Sequence, residues 1–140
     1  MIDHDNYPEG YTQDWLGKVK SIAVVGASPN AARPSFGVTR LLISRGYEVT
    51  PVNPGQAGKE ILGRMTVATL ADLPSPVDMI DVFRASEAIP AIADEIRALP
   101  WKPKLVWLQL GISNDEAAAK LEAAGIAVIM DRCPAIELGA

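Results

Sequence analysis

The residues with most chemical content stand directly after short apolar runs. Gly26-Ala-Ser28 leads into Arg33-Pro-Ser35-Phe36-Gly37. A glycine lets the chain turn sharply and approach a ligand closely. Ser28 adds a hydroxyl, and Arg33 adds a guanidinium suited to bidentate phosphate contact. Ser35 reads as a helix N-cap, whose helix start would offer free N–H groups and a positive dipole end. Gly37 leaves no side chain to obstruct an anion there. A βα turn needs a glycine and a cap for local reasons alone. The coincidence of Gly, Ser, Arg, cap and Gly in one loop favours a phosphate site over that bland reading. The loop is not an NAD fingerprint, because G-x-G-x-x-G is absent and Val52-Asn53-Pro54 stands where an acidic ribose ligand is expected. No G-K-[S/T] occurs, so it is not a P-loop either.

Other chemistries are thin. The only histidine is His4, which excludes a His-pair metal site and a His-based triad. Asp78 and Asp81 are three apart on one strand, so they face opposite ways and form no catalytic pair. Asp81 reads as a satisfied structural carboxylate, with Arg84 or Arg132 as its expected partner. Cys133 reads as a small buried hydrophobe. The rival reading is a redox thiol activated by Arg132, forming a mixed disulfide. Trp101 and Trp107 read as core or interface residues. No catalytic constellation emerges, so the chain is not expected to be an enzyme.

The chain has 13 basic and 17 acidic residues, a net charge of −4, and no basic run, so nucleic acid is excluded as a partner. No apolar run approaches the length of a membrane span, and the N-terminus lacks a signal-peptide pattern. With one cysteine, these features point to a cytoplasmic protein.

The 140 residues suit one domain, with residues 1–17 as a polar extension carrying a short helix capped by Thr12. Beyond it, two periods alternate. Strands are expected at 21–26, 47–52, 77–83, 104–110 and 126–130, the first of them a continuous apolar run as in a sheet covered on both faces. Helices are expected at 35–45, 86–99 and 113–124, and a short one within 131–140. Ser113-Asn-Asp-Glu116 matches a capping box. Residues 56–76 are less regular, with a short strand near 65–68 and a helical turn after Thr69. Pro51 suits an edge strand, and that edge is a candidate dimer surface. Alternating strands and helices predict an α/β fold: a doubly wound, mostly parallel sheet with helices on both faces. Ligands of such sheets bind at the carboxyl ends of the strands.

Ile22 to Ser28, Arg33-Pro-Ser-Phe-Gly37, Gly46-Tyr47, Pro51-Val-Asn-Pro54, Gly58-Lys59 and Asp131-Arg-Cys-Pro134, in this order, resemble the stand-alone CoA-binding protein family. That family is similar to the CoA-binding domain of the succinyl-CoA synthetase α subunit. The resemblance spans residues 12–138. It implies a Rossmann-like domain with coenzyme A, or an acyl-CoA, as ligand. Gly26, Ala27 and Ser28 would line its phosphates, with Ser35, Phe36 and Gly37 at the helix start and Arg33 paired to a phosphate. Asn53 and Pro54 would border the adenosine. Phe83 and Arg84 would flank the ligand, Gln109 and Gly111 would lie toward the pantetheine arm, and Lys59 would meet the 3′-phosphate. The synthetase's phosphorylated histidine has no counterpart, and Leu110 stands where Glu commonly precedes Gly111, so ligase activity does not carry over. The rival functions are an NAD(P)-linked redox protein and a ligand-free interaction domain. A homodimer or another protein partner stays open.

Overall fold

The computed structural model describes residues 2–139. The first strand, β1 (Ser21–Val25), follows a short helix α1 (Tyr11–Lys18). Helix α2 (Pro34–Ser44) leads to β2 (Glu48–Val52), and a small antiparallel hairpin of β3 (Glu60–Ile61) and β4 (Arg64–Met65) follows. Then come β5 (Met79–Val82), α3 (Ile89–Arg97), β6 (Leu105–Leu108), α4 (Asp115–Ala123), β7 (Ala127–Ile129) and a short α5 (Pro134–Glu137).

The five long strands form one parallel sheet in the order β2-β1-β5-β6-β7. The chain leaves β1 for β2 on one side and returns to β5 on the other. The strand order therefore reverses between β1 and β5, the place where doubly wound sheets open a crevice.

The apolar runs of the strands follow from burial on both faces. Ile22, Val24, Met79, Leu105, Trp107 and Ile129 pack with Leu16, Val38 and Leu42 from α1 and α2, and with Leu138 beyond α5. Ala23, Val25, Ile80, Val82, Val106 and Val128 pack with Ile92 and Ile96 of α3 and Leu121 of α4. Trp107 is fully buried, and its indole N–H donates to the Arg132 carbonyl at 2.9 Å.

Three helix caps differ from expectation. Arg33, not Ser35, occupies the N-cap of α2, and Pro34 is its first residue. Proline has no N–H to leave unpaired and its fixed φ suits a first turn, so the helix begins one residue earlier. Asn114, not Ser113, caps α4, its side chain accepting from the Ala117 N–H at 2.9 Å. Gly10 in left-handed geometry precedes α1, while the Thr12 hydroxyl is drawn to Glu137 instead. Residues 86–88 form a separate 3-10 turn, and Pro90 falls in the first turn of α3 as expected.

Pro51 does lie on the sheet's edge strand. The carboxyl half of that edge is covered, since the Val67 N–H donates to Pro51 O at 3.1 Å and Asn53 N–H donates to Val67 O at 2.9 Å. The N-terminal extension is docked as well. The Tyr7 hydroxyl accepts from the Met130 N–H at 2.7 Å and meets His4, whose other ring nitrogen meets Glu122 at 3.0 Å.

Gly37 lies inside α2 without a left-handed φ, and a Cβ there would meet nothing within 4 Å. A helix-interior glycine costs about 0.5–1 kcal/mol relative to alanine. Gly37→Ala should therefore raise the thermal midpoint by about 1–4 °C in a scanning calorimeter.

Candidate ligand cleft at the strand ends

Gly26 closes β1 with φ +85°, and its N–H donates to Val52 O at 2.9 Å. The Phe83 N–H donates to Val25 O at 2.8 Å. These bonds tie the ends of β2, β1 and β5 into one ledge at the switch point. A Cβ on Gly26 would stand 2.5 Å from the Phe83 carbonyl oxygen, so the ledge itself requires glycine.

Asn53 clamps this ledge to the following loop. Its amide N–H donates to Ala27 O at 2.8 Å, and its Oδ1 accepts from the Gly55 N–H at 2.9 Å. Both polar atoms are thus engaged by the backbone, and the cleft meets the flank of the side chain. Beyond Ala27, the Ser28 hydroxyl accepts from the Asn30 N–H at 3.0 Å, and Asn30 Oδ1 accepts from the Ala32 N–H at 2.9 Å. Side-chain turns of this kind hold a loop without regular structure. They deliver Arg33 to the α2 N-terminus as an exposed side chain. None of the ion pairs among the described residues uses Arg33 or Arg84.

The ledge, the α2 start and the loops after β6 and β7 enclose a cleft of about 680 Å³. Gly26, Ser28, Arg33, Ser35, Asn53, Phe83, Arg84 and Gln109 all line it. A second lobe of about 340 Å³ shares Gly26, Asn53, Phe83 and Arg84 and adds Pro54, Thr69 and Glu95. The Glu95 carboxylate also accepts from the Leu70 N–H at 3.3 Å.

Five of the sequence-derived candidates do not line either lobe. Ala27 is buried beneath the loop. Phe36 lies under the Arg40 guanidinium, 5.9 Å from the ring centre. Gly37 is inside α2, and Lys59 is exposed before the β3–β4 hairpin. Gly111 has φ +82° and donates its N–H to Asp131 Oδ1 at 2.6 Å, which joins the loops after β6 and β7.

The sequence reading missed the apolar wall. Pro34, Val38, Leu110, Ile112 and Ile136 line the main lobe, together with Cys133. Leu110 and Ile136 are exposed by 60% and 59%, unusual for large aliphatic side chains. The available signal was Leu110-Gly111-Ile112, apolar residues continuing past a strand end. Arg132 does not reach into this wall as an activator. Its guanidinium lies 4.9 Å from the Tyr7 ring centre and donates to Asp131 O at 2.7 Å.

Asp81 has neither arginine partner. It is fully buried on β5, and its contact is the Gln109 amide, one terminal atom of which lies 2.7 and 3.3 Å from the carboxyl oxygens. Asp81 aligns with Trp107, so Gln109 is the next same-face residue on the neighbouring strand. Burial pushes the Asp81 carboxyl well above the ordinary carboxylate range. The folded state then holds a proton that the unfolded chain releases above about pH 4, so this group lowers stability as pH rises from there.

No helix among the described residues is long and apolar enough to cross a membrane.

The chain is 40% identical to the uncharacterized protein YneT of Bacillus subtilis over 118 residues, 84% of each protein. It is 31% identical over 78 residues, 54% of its own length, to an ADP-forming acetate–CoA ligase of Archaeoglobus fulgidus, of which that stretch is only 11%. A solved protein of Thermus thermophilus superposes with a TM-score of 0.85 at 44% identity, covering 91% of this chain and 93% of that one. A hypothetical protein of Pyrococcus horikoshii OT3 gives 0.87 at 29% identity, covering 99% and 95%. Residues 20–139 match the CoA binding domain family throughout, and with the doubly wound sheet and its cleft in place, the chain belongs to that family.

Proposed function

We propose that this protein binds coenzyme A or an acyl-CoA and performs no catalysis of its own. The observation that carries this reading is the mixed lining of the cleft. Arg33, Arg84, Ser28 and the start of α2 line it together with Leu110, Ile112 and Ile136. A ligand with phosphates at one end and a long, weakly polar arm at the other fits both. Helix N-terminal N–H groups and guanidinium groups stabilise phosphate charge, and the apolar wall receives the arm. The chemistry CoA supplies when bound is a thiol, or the thioester it carries. This chain's residues orient that arm and shield it from water. Asn53 and Pro54 border the adenosine end, and Lys59 supplies a cation for the 3′-phosphate from outside the cleft lining.

The groups in the main lobe support binding over catalysis. Its nucleophilic groups are the Cys133 thiol and the Ser28 and Ser35 hydroxyls, and neither carboxylate nor imidazole stands among the described residues lining it. A thiol or hydroxyl nucleophile needs such a base or another source of activation.

Calorimetric titration of the ligand-stripped protein tests the reading. CoA should bind with micromolar affinity, weaken as salt screens the phosphates, and lose affinity as dephospho-CoA if Lys59 serves the 3′-phosphate. NAD should not bind. Binding of NAD in place of CoA would favour a redox protein, and silence for all three would favour an interaction domain.

A further inference from the structure

Asp81 is the one fully buried carboxylate among the described residues, and it sits at the centre of the sheet beneath the cleft. Val24 on β1 and Trp107 on β6 flank it in register. From α2, the same layer receives Val38 and Leu42 and the uncharged Ser35 and Thr39. The cations Arg33 and Arg84 are exposed at the cleft and form no ion pair with it. Its polar neighbour is the Gln109 amide, and Gln109 lines the cleft.

Two arrangements satisfy this contact. An ionised carboxylate would accept from Gln109 Nε2, leaving Oε1 for the cleft. A carboxylic acid would donate its own hydroxyl to Gln109 Oε1, leaving the NH2 group for the cleft. Burying a carboxylate without a cation costs more than one amide hydrogen bond returns. The 2.7 Å separation suits both arrangements, so the missing cation decides between them.

We infer that Asp81 is held as a neutral acid that donates to Gln109 Oε1 and so turns the Gln109 N–H groups toward the cleft, which thereby selects a ligand carrying a carbonyl acceptor, an amide or thioester of the pantetheine arm. Asp81 is a positioning residue, acting through Gln109. The protonation state stands on its own, whereas the identity of the acceptor rests on the CoA reading.

Difference infrared spectroscopy of the wild type against Asp81→Asn at neutral pH reads the acid directly. A protonated-carboxyl band that disappears in the variant is expected, and its absence overturns the inference. CoA titration reads the consequence. Asp81→Asn keeps a donor toward Gln109 Oε1 and should retain affinity within about threefold, whereas Asp81→Val and Gln109→Leu should each lose about tenfold. Wild-type affinity in Gln109→Leu overturns the selective role, and this variant decides the matter even where Asp81→Val fails to fold. A tenfold loss in Asp81→Asn equal to that of Asp81→Val also overturns it, because the conservative donor would then rescue nothing. If the wild type binds no CoA, the CoA reading falls together with the selection of its arm, while the infrared band still decides the state of Asp81.

Discussion

Arg33→Glu is expected to weaken CoA binding by at least about 100-fold while leaving the thermal midpoint unchanged or slightly higher. The two halves of this result come from one position. Arg33 is the N-cap of α2, its side chain makes no capping bond, and it enters none of the ion pairs among the described residues. Removing it therefore costs the fold little, within about 0.5 kcal/mol for an exposed side chain. A carboxylate at a helix N-terminus is favourable by about 0.3–1 kcal/mol, which offsets even that. For a bound phosphate the same change deletes a charge-assisted hydrogen bond of about 1.5–3 kcal/mol. It also places like charge against the anion at the site. Titration calorimetry and a melting curve on the same sample check both halves. A loss of binding that parallels a fall in the midpoint would mean that Arg33 supports the fold. Unchanged affinity would remove Arg33 from the phosphate site.

Gly26→Ala should act in the opposite manner, on folding first. Gly26 has φ +85°, and its Cβ would approach the Phe83 carbonyl oxygen to 2.5 Å. Left-handed backbone costs a non-glycine residue about 1–2 kcal/mol. Overpacking against a neighbour that cannot swing aside adds about 1–3 kcal/mol. Here the neighbour is backbone on the central strand ledge, anchored by the Phe83 N–H to Val25 O bond of 2.8 Å. The sum of about 2–5 kcal/mol corresponds to a midpoint lowered by roughly 10 °C in a chain of this size. Chemical denaturation of the variant checks the loss. A variant as stable as the wild type would show that the ledge can open, and that the glycine serves only a ligand.

These two neighbours show how the loop divides its work. Gly26 looks in the sequence like a residue that admits a ligand, but the fold requires it for strand-to-strand contact. Arg33 looks like a ligand residue and is structurally expendable. Asn53 is the intermediate case, bordering the cleft while its polar atoms hold Ala27 and Gly55.

What the sequence determined by itself was whatever local spacing encodes. Largely apolar runs marked the strands of the sheet that are covered on both faces, and Gly46 and Gly125 marked helix ends because their left-handed φ favours glycine. The parallel order followed from strand–helix alternation, and the placement of Gly26, Ser28, Arg33 and Phe83 followed from it, since a doubly wound sheet gathers its strand ends. Tertiary structure decided what depends on neighbours far apart in the chain. The sequence suggests arginine partners for Asp81, yet it meets Gln109, 28 positions later by numbering, because parallel register puts them on one face. The apolar wall needed Val38, Ile112, Cys133 and Ile136 to converge from α2, the loops after β6 and β7, and α5. Cap competition was also beyond local reading: Pro34 displaced Ser35 and Asn114 displaced Ser113 at helix starts where adjacent residues have similar capping preference. Periodicity reports which face a residue takes, while its partner on that face is set only when the sheet closes around it.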